Sequence, residues 1–172
     1  MQNMLQNIKE GKSAMHYGKY ADMFEVTYTP IKAGAFNIYL FGEIYDTTQF
    51  IPAIEVLNAA TENDIVIIHL STPGGALDAA DTFIDAMRQC DAKMVCKATG
   101  GVHSAGTLIL LNSDEFSLSE NFNCLIHNGS LGVGGKYSDF KAQVKHSEKY
   151  MEKVMRNAYA GFLTDSEIDT LL

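Results

Sequence analysis

The residues best suited to chemistry fall in three short stretches: "STPGG" (71–75), "TGGVHSAGTLILL" (99–111) and "CLIHNG" (124–129). A nucleophilic serine needs a base within hydrogen-bond reach, backbone donors aimed at a developing oxyanion, and a turn that exposes its hydroxyl. The run Val102-His103-Ser104-Ala105-Gly106 half-matches the strained G-x-S-x-G elbow, with Val102 in place of the first glycine and Gly100-Gly101 just before it. At the start of a helix, free N–H groups would also favour negative charge near the Ser104 hydroxyl. The competing reading is plain: serine is among the preferred helix N-caps, and a cap does no chemistry.

Of the five histidines, His127 is the candidate base, because it ends the apolar strand "CLIH" where a chain leaves the core. His103 adjoins Ser104, but adjacent residues on a turn into a helix do not aim their side chains at each other. His69, within "IVIIHL", reads as a satisfied core histidine, and His16 and His146 fall in polar segments. In "STPGG" two consecutive glycines permit positive φ and close backbone approach, which is how an amide donor for an oxyanion is made. The same turn also serves as an ordinary strand-to-helix connection. It is no phosphate loop, since no GK[ST] follows, and neither it nor "GVGG" (132–135) has dinucleotide-binding spacing.

Such residues need a scaffold, and 172 residues with 47% hydrophobic content suffice for one well-buried core. The expected organisation is a polar N-terminal segment, residues 1–34, mobile or ordered against a partner, followed by one domain over 35–172. Short apolar runs alternate with helical periods: "AFNIYLFG" (35–42) as a strand, a helix carrying Phe50, Ile54, Leu57 and Ala60, then "DIVIIHL" (64–70) as a strand covered on both faces. A helix with Ala79, Ala80, Phe83, Ile84 and Met87 inward and the strand "KMVCKAT" (93–99) complete β-α-β-α-β. That order predicts an α/β fold with its Gly-rich turns at the carboxyl ends of strands. Next come a short apolar helix at 104–112, strands at "EFSLS" and "NCLIHNG", and a glycine-rich segment. The longest helix is expected from Ser138 as N-cap, with Phe140, Val144, Met151, Val154, Ala158 and Phe162 recurring at close to helical spacing.

A net charge of −8 argues against nucleic acid or anionic membrane as partners, because both reward clustered Lys and Arg. Cys90, Cys96 and Cys124 are odd in number and lack metal-site spacing, so they read as buried thiols of a reducing, cytoplasmic compartment. No h-region or long apolar span is present, and no metal or organic cofactor is expected.

In this order the three stretches, with the long helix that follows, resemble the ClpP peptidases, the proteolytic chambers of ATP-dependent protein degradation. The similarity spans about residues 36–162. Thr72 stands between Ser71 and Pro73, His103 replaces a small residue before the serine, and Asn128-Gly129 follows the histidine, which suggests a divergent, phage-type branch. The resemblance implies the ClpP/crotonase fold, an α/β superhelix of repeated β-β-α units with a long handle helix. It makes Ser104 the nucleophile, His127 the general base, and the amides of Gly75 and Ala105 the oxyanion donors. Gly129, Ser130, Leu131 and Gly132 would form the strand on which a substrate peptide pairs. It further implies stacked homo-oligomeric rings, heptamers paired as a tetradecamer, served by a separate AAA+ unfoldase and acting on unfolded polypeptide.

The family's triad acid falls at Leu171 or Leu172, neither of which can orient an imidazole. The acid is expected just beyond Leu172, with the sequence stopping short of it; otherwise Asn128 or a neighbour would hold the imidazole. Asp165 and Asp169 read as solvated surface charges. Two further readings keep the fold: a crotonase-like CoA-ester enzyme, and a catalytically silent ring subunit or phage structural component. The first wants a carboxylate where Ser104 stands and a basic entrance, and the second is supported by the missing acid.

Overall fold

The computed structural model describes residues 26–30, 34–132 and 134–172. His16 and most of the expected N-terminal segment lie outside the described residues, as does Val133 of the glycine-rich stretch. The chain forms two compact units, Met1–Leu125 and Ile126–Leu172.

The first unit is built on a six-stranded sheet in which β1 (Val26–Pro30), β2 (Gly34–Phe41), β3 (Ile65–Thr72), β4 (Lys93–His103) and β5 (Glu115–Leu118) follow in order, while β6 (Asn123–Leu125) also pairs with β4. β1 joins β2 antiparallel, and every other pairing is parallel. Between them lie a 3₁₀ turn at Thr47–Phe50 and the helices α1 (Ile51–Ala59), α2 (Leu77–Gln89) and α3 (Ala105–Leu111). Pro52 falls in the first turn of α1, where its missing N–H costs nothing. The alternation on β2 and β3 sends Phe36, Ile38 and Leu40, and Val66, Ile68 and Leu70, into the core. Val56 and Leu57 of α1 and Phe83 and Ile84 of α2 are buried as well, with Phe50 and Phe83 stacked at 4.7 Å between ring centres.

β3 differs from its expected burial. Only alternate residues are buried, and Ile65, Ile67, His69 and Ser71 stay half exposed. A nearly continuous apolar run therefore reflects β-branched packing on one covered face and a second face that is only partly shielded. β4 is also longer than expected, running through Gly100 and Gly101 to His103. It does so by changing neighbour: residues 95–98 pair with β5, and residues 101–103 pair with β6, with Gly100 at φ 63° between the two sets.

The second unit carries α4 (Tyr137–Tyr159) and α5 (Asp165–Leu171). α4 is capped two residues before the expected Ser138: Lys136 occupies the N-cap position, and the Ser138 hydroxyl donates to Asp139 instead. It ends before Phe162, because Gly161 at φ 79° turns the chain. α5 opens on a capping box in which Thr164 accepts from the Glu167 amide and Glu167 accepts from the Thr164 amide. Glu167 is held ionised, its pKa lowered by the Thr164 backbone and side-chain hydrogen bonds.

Candidate functional site

Ser104 sits where β4 ends and α3 begins, in a conformation that an L-residue seldom adopts. Its φ of 51° and ψ of −127° make it the one described non-glycine residue at positive φ. Such a backbone costs about 1–3 kcal/mol and persists only where its surroundings hold it. Its side chain makes no capping hydrogen bond, so the N-cap reading of Ser104 is not what the fold uses it for.

Several contacts hold the elbow. The Ser104 amide donates to the Leu125 carbonyl of β6 at 2.8 Å, and the Ser104 carbonyl accepts from the Thr107 amide at 2.9 Å and the Thr107 hydroxyl at 2.6 Å. Against the elbow lies the turn Pro73-Gly74-Gly75. A Cβ at Gly74, where φ is 88°, would stand 2.6 Å from the His103 carbonyl oxygen and 2.7 Å from the Ser104 Cβ. A Cβ at Gly75, φ 142°, would run into the Ile44 carbonyl. The two glycines thus do separate work, one admitting the serine elbow and the other admitting the Ile44 backbone.

Ile44 and Thr72 complete this arrangement. The Ile44 amide donates to the Gly74 carbonyl at 2.8 Å, and the Ala76 amide donates to the Ile44 carbonyl at 2.7 Å, which clamps the Gly-Gly turn from both sides. The Thr72 hydroxyl, buried, accepts from the Gly74 amide at 3.0 Å, while its methyl lies where a Cβ on Gly106 would go. Thr72 therefore couples the turn to α3. Its signal in the sequence was its oddity within the glycine-turn motif. Ile44 left no signal, since its role depends on a bridge to Gly75 across more than thirty residues.

Gly75 is exposed and Ala105 is buried. Among the described residues neither backbone N–H donates to a protein acceptor. The Ser104 elbow and two amides with hydrogen-bonding capacity to spare thus belong to one unit, on elements that fix them firmly. His103, the neighbour, turns its Nε2 to the Asn123 Oδ1 at 2.8 Å.

His127, Gly129, Ser130, Leu131 and Gly132 belong to the second unit. His127 is exposed in a stretch without regular structure. The described residues from 126 to 132 form no strand, so "NCLIHNG" is strand only as far as Leu125. An extended segment without a neighbouring chain has no ladder to join, and that leaves residues 129–132 irregular. Gly129, Ser130 and Leu131 line a groove of about 560 Å³ with Val144 and Met151 of α4. A Cβ at Gly129 would meet the end of the flexible Met151 side chain, which would have to shift to admit it. Asn128 donates its side-chain amide to the Leu172 carbonyl at 3.1 Å. Asp169 is taken up by Arg156 at 2.8 Å on the surface, and this bond, with that to Glu152, raises the Arg156 pKa further. Among the described residues no three His, Cys, Asp or Glu side chains gather as a metal site would require.

Comparison with known proteins agrees with this anatomy. The chain is 28% identical over 123 residues to "ATP-dependent Clp protease proteolytic subunit 3" of Rhizobium meliloti, covering 70% of this chain and 63% of that one. It is 29% identical over 101 residues to "ATP-dependent Clp protease proteolytic subunit 2" of Pseudomonas aeruginosa, covering 57% of this chain and 50% of that one. It thus spans about 63% of the Rhizobium protein's length and half of the Pseudomonas protein's. The family model described as Clp protease matches residues 27–169, which takes in the elbow, the Gly-Gly turn, α4 and most of α5, and the chain belongs to the Clp protease family.

Proposed function

We propose that the protein is a ClpP-like serine endopeptidase that cleaves polypeptide through an acyl-enzyme. The observation that carries this reading is the backbone of Ser104, held at φ 51° against Gly74. A helix cap needs no positive φ, whereas a nucleophile raised on a sharp turn does.

In the proposed reaction the Ser104 Oγ attacks the scissile carbonyl carbon while its proton passes to His127, the base assigned from its place in the family motif. The carbonyl π bond opens, and the resulting oxyanion takes hydrogen bonds from the Gly75 and Ala105 amides. Collapse breaks the C–N bond, and the proton on His127 leaves with the amine. Water then repeats the sequence on the ester, releasing the acid and restoring Ser104. Preorganised amides are worth most here, because charge appears on the carbonyl oxygen only as the bond forms. The substrate strand along 129–132 is part of the same proposal, and its irregular backbone suits a segment that gains its ladder when a peptide pairs with it.

Assembly into stacked rings, service by an AAA+ unfoldase and a cytoplasmic, phage-type setting complete the reading. Support for assembly comes from apolar side chains left in solvent by each unit, among them Phe41, Ile51, Phe116 and Leu118 in the first and Leu131, Phe140 and Phe162 in the second. α4 buries only Met155 and Tyr159 near its end.

Labelling with a fluorophosphonate tests the assignment. Ser104 is expected to be the residue modified, and Ser104→Ala should abolish both labelling and peptidase activity. Unlabelled Ser104 in assembled protein, with full peptidase activity in Ser104→Ala, would overturn it. Binding of an acyl-CoA by calorimetry would instead favour the crotonase-like reading.

A further inference from the structure

We propose that His103 and Asn123 act as positioning residues, forming a side-chain bridge between β4 and β6 that holds the Ser104 elbow in its strained conformation. The catalytic part of this inference rests on Ser104 being the nucleophile.

The elbow depends on a weak part of the sheet. Its amide is anchored on Leu125. Leu125 belongs to a strand of three residues, all exposed, paired only as Gly101↔Asn123, Val102↔Cys124 and His103↔Leu125. So short an exposed ladder opens easily on its own. Opening it would release the Ser104 amide and let φ relax to a common value.

Three residues counter this. The His103 Nε2 and the Asn123 Oδ1 meet at 2.8 Å, diagonally across the pair, because His103 lies two residues beyond Gly101, which faces Asn123. An amide oxygen can only accept, so the Nε2 carries the hydrogen. The ring reaches Asn123 by lying over Gly101. A Cβ there would stand 3.0 Å from the His103 Cε1 and 3.1 Å from its Nε2. Gly101, His103 and Asn123 are therefore matched: an acceptor on β6, a donor long enough to reach it, and a glycine that leaves room for the ring. A small residue before Ser104 would leave the last ladder rungs without this tie.

The test compares His103→Phe, which keeps an aromatic ring but donates nothing, with Asn123→Ala, their double variant, and His103→Gln, which restores a side-chain donor. Hydrogen exchange at the Ser104 amide is read beside the fluorophosphonate acylation rate and the split of kcat from KM. We expect both single variants to speed Ser104 exchange and slow acylation by about tenfold, the scale of one hydrogen bond. The losses should appear in kcat, KM and exchange at the β3 amides should stay unchanged, and His103→Gln should recover most of both. The double variant should be no worse than either single one. Unchanged Ser104 exchange in the single variants, additive losses in the double, or loosening that spreads into β3 would overturn the bridge. Wild-type protein with a protected Ser104 amide that never acylates would overturn the proposed function, and with it the catalytic part of this inference.

Discussion

At the scale of single residues, Gly74 is a position sensitive to change. Any larger side chain there meets the His103 carbonyl and Ser104 while being forced to a φ of 88°. Gly74→Ala is expected to cost about 1–3 kcal/mol of stability in denaturant unfolding, the range for a backbone held in a sparsely populated region. It should also slow Ser104 acylation by about tenfold or more, since a small displacement of a reacting group is amplified in rate. Asp169 provides the contrast. It is an exposed partner of Arg156, so Asp169→Asn should leave acylation within about twofold of wild type, as surface pairs carry little. A collapse of activity in Asp169→Asn would instead mark it as the acid that orients the imidazole.

At the scale of elements, the half-exposed face of the sheet has its own electrostatics. His69 on β3 is stacked on Tyr39 of β2 at 4.4 Å, and its Nε2 meets the Asn37 Oδ1 at 3.0 Å. Its pKa is lowered, first by burial and then by Lys97 on β4, opposite it in the register. The folded protein therefore binds this proton less readily than the unfolded chain does. Stability from this site is fully present above the ordinary histidine value of about 6.5 and is lost as pH falls below it toward the depressed folded value. An NMR titration should find His69 below the usual imidazole range, and Lys97→Met should raise it. An unmoved His69 in that variant would leave burial as the whole cause. This face was only half legible beforehand. The placement of His69 among Ile and Leu suggested full burial, because sequence does not show which faces of a sheet its helices cover.

At the scale of the whole molecule, burial and thiol chemistry report on the same core. Cys96 is buried on β4, and that burial pushes its pKa up to about 12, whereas Cys124 on β6 is exposed. Burial was expected for all three cysteines; Cys90 is only half-buried, and Cys124 lies exposed on the short strand β6. In native protein near neutral pH a thiol-alkylating reagent should therefore modify Cys124 and spare Cys96. Phe83→Ala, which removes a fully buried ring stacked on Phe50, should cost about 3–5 kcal/mol and bring Cys96 into reach of the reagent at a lower denaturant concentration. Assembly belongs to this scale too. A native mass well above that of one chain is the expected outcome for the ring reading, and a monomer at all concentrations would oppose it.

The amino-acid sequence by itself determined the order of strands and helices from β2 onward in the sheet unit and the three stretches around which the candidate site is built. Those features are local: they follow from periodicity, glycine placement and the types of neighbouring residues. The path of β4 through Gly100 and Gly101, the exposure of the second sheet face, and the positive φ of Ser104 were decided only in the tertiary structure. The serine elbow depends on partners distant in the chain: Leu125 for the serine amide, Ile44 for the Gly-Gly turn and Asn123 for His103. Serine alone can cap a helix at little cost, and those distant contacts, together with the local Thr107 bonds, hold it in a strained geometry instead.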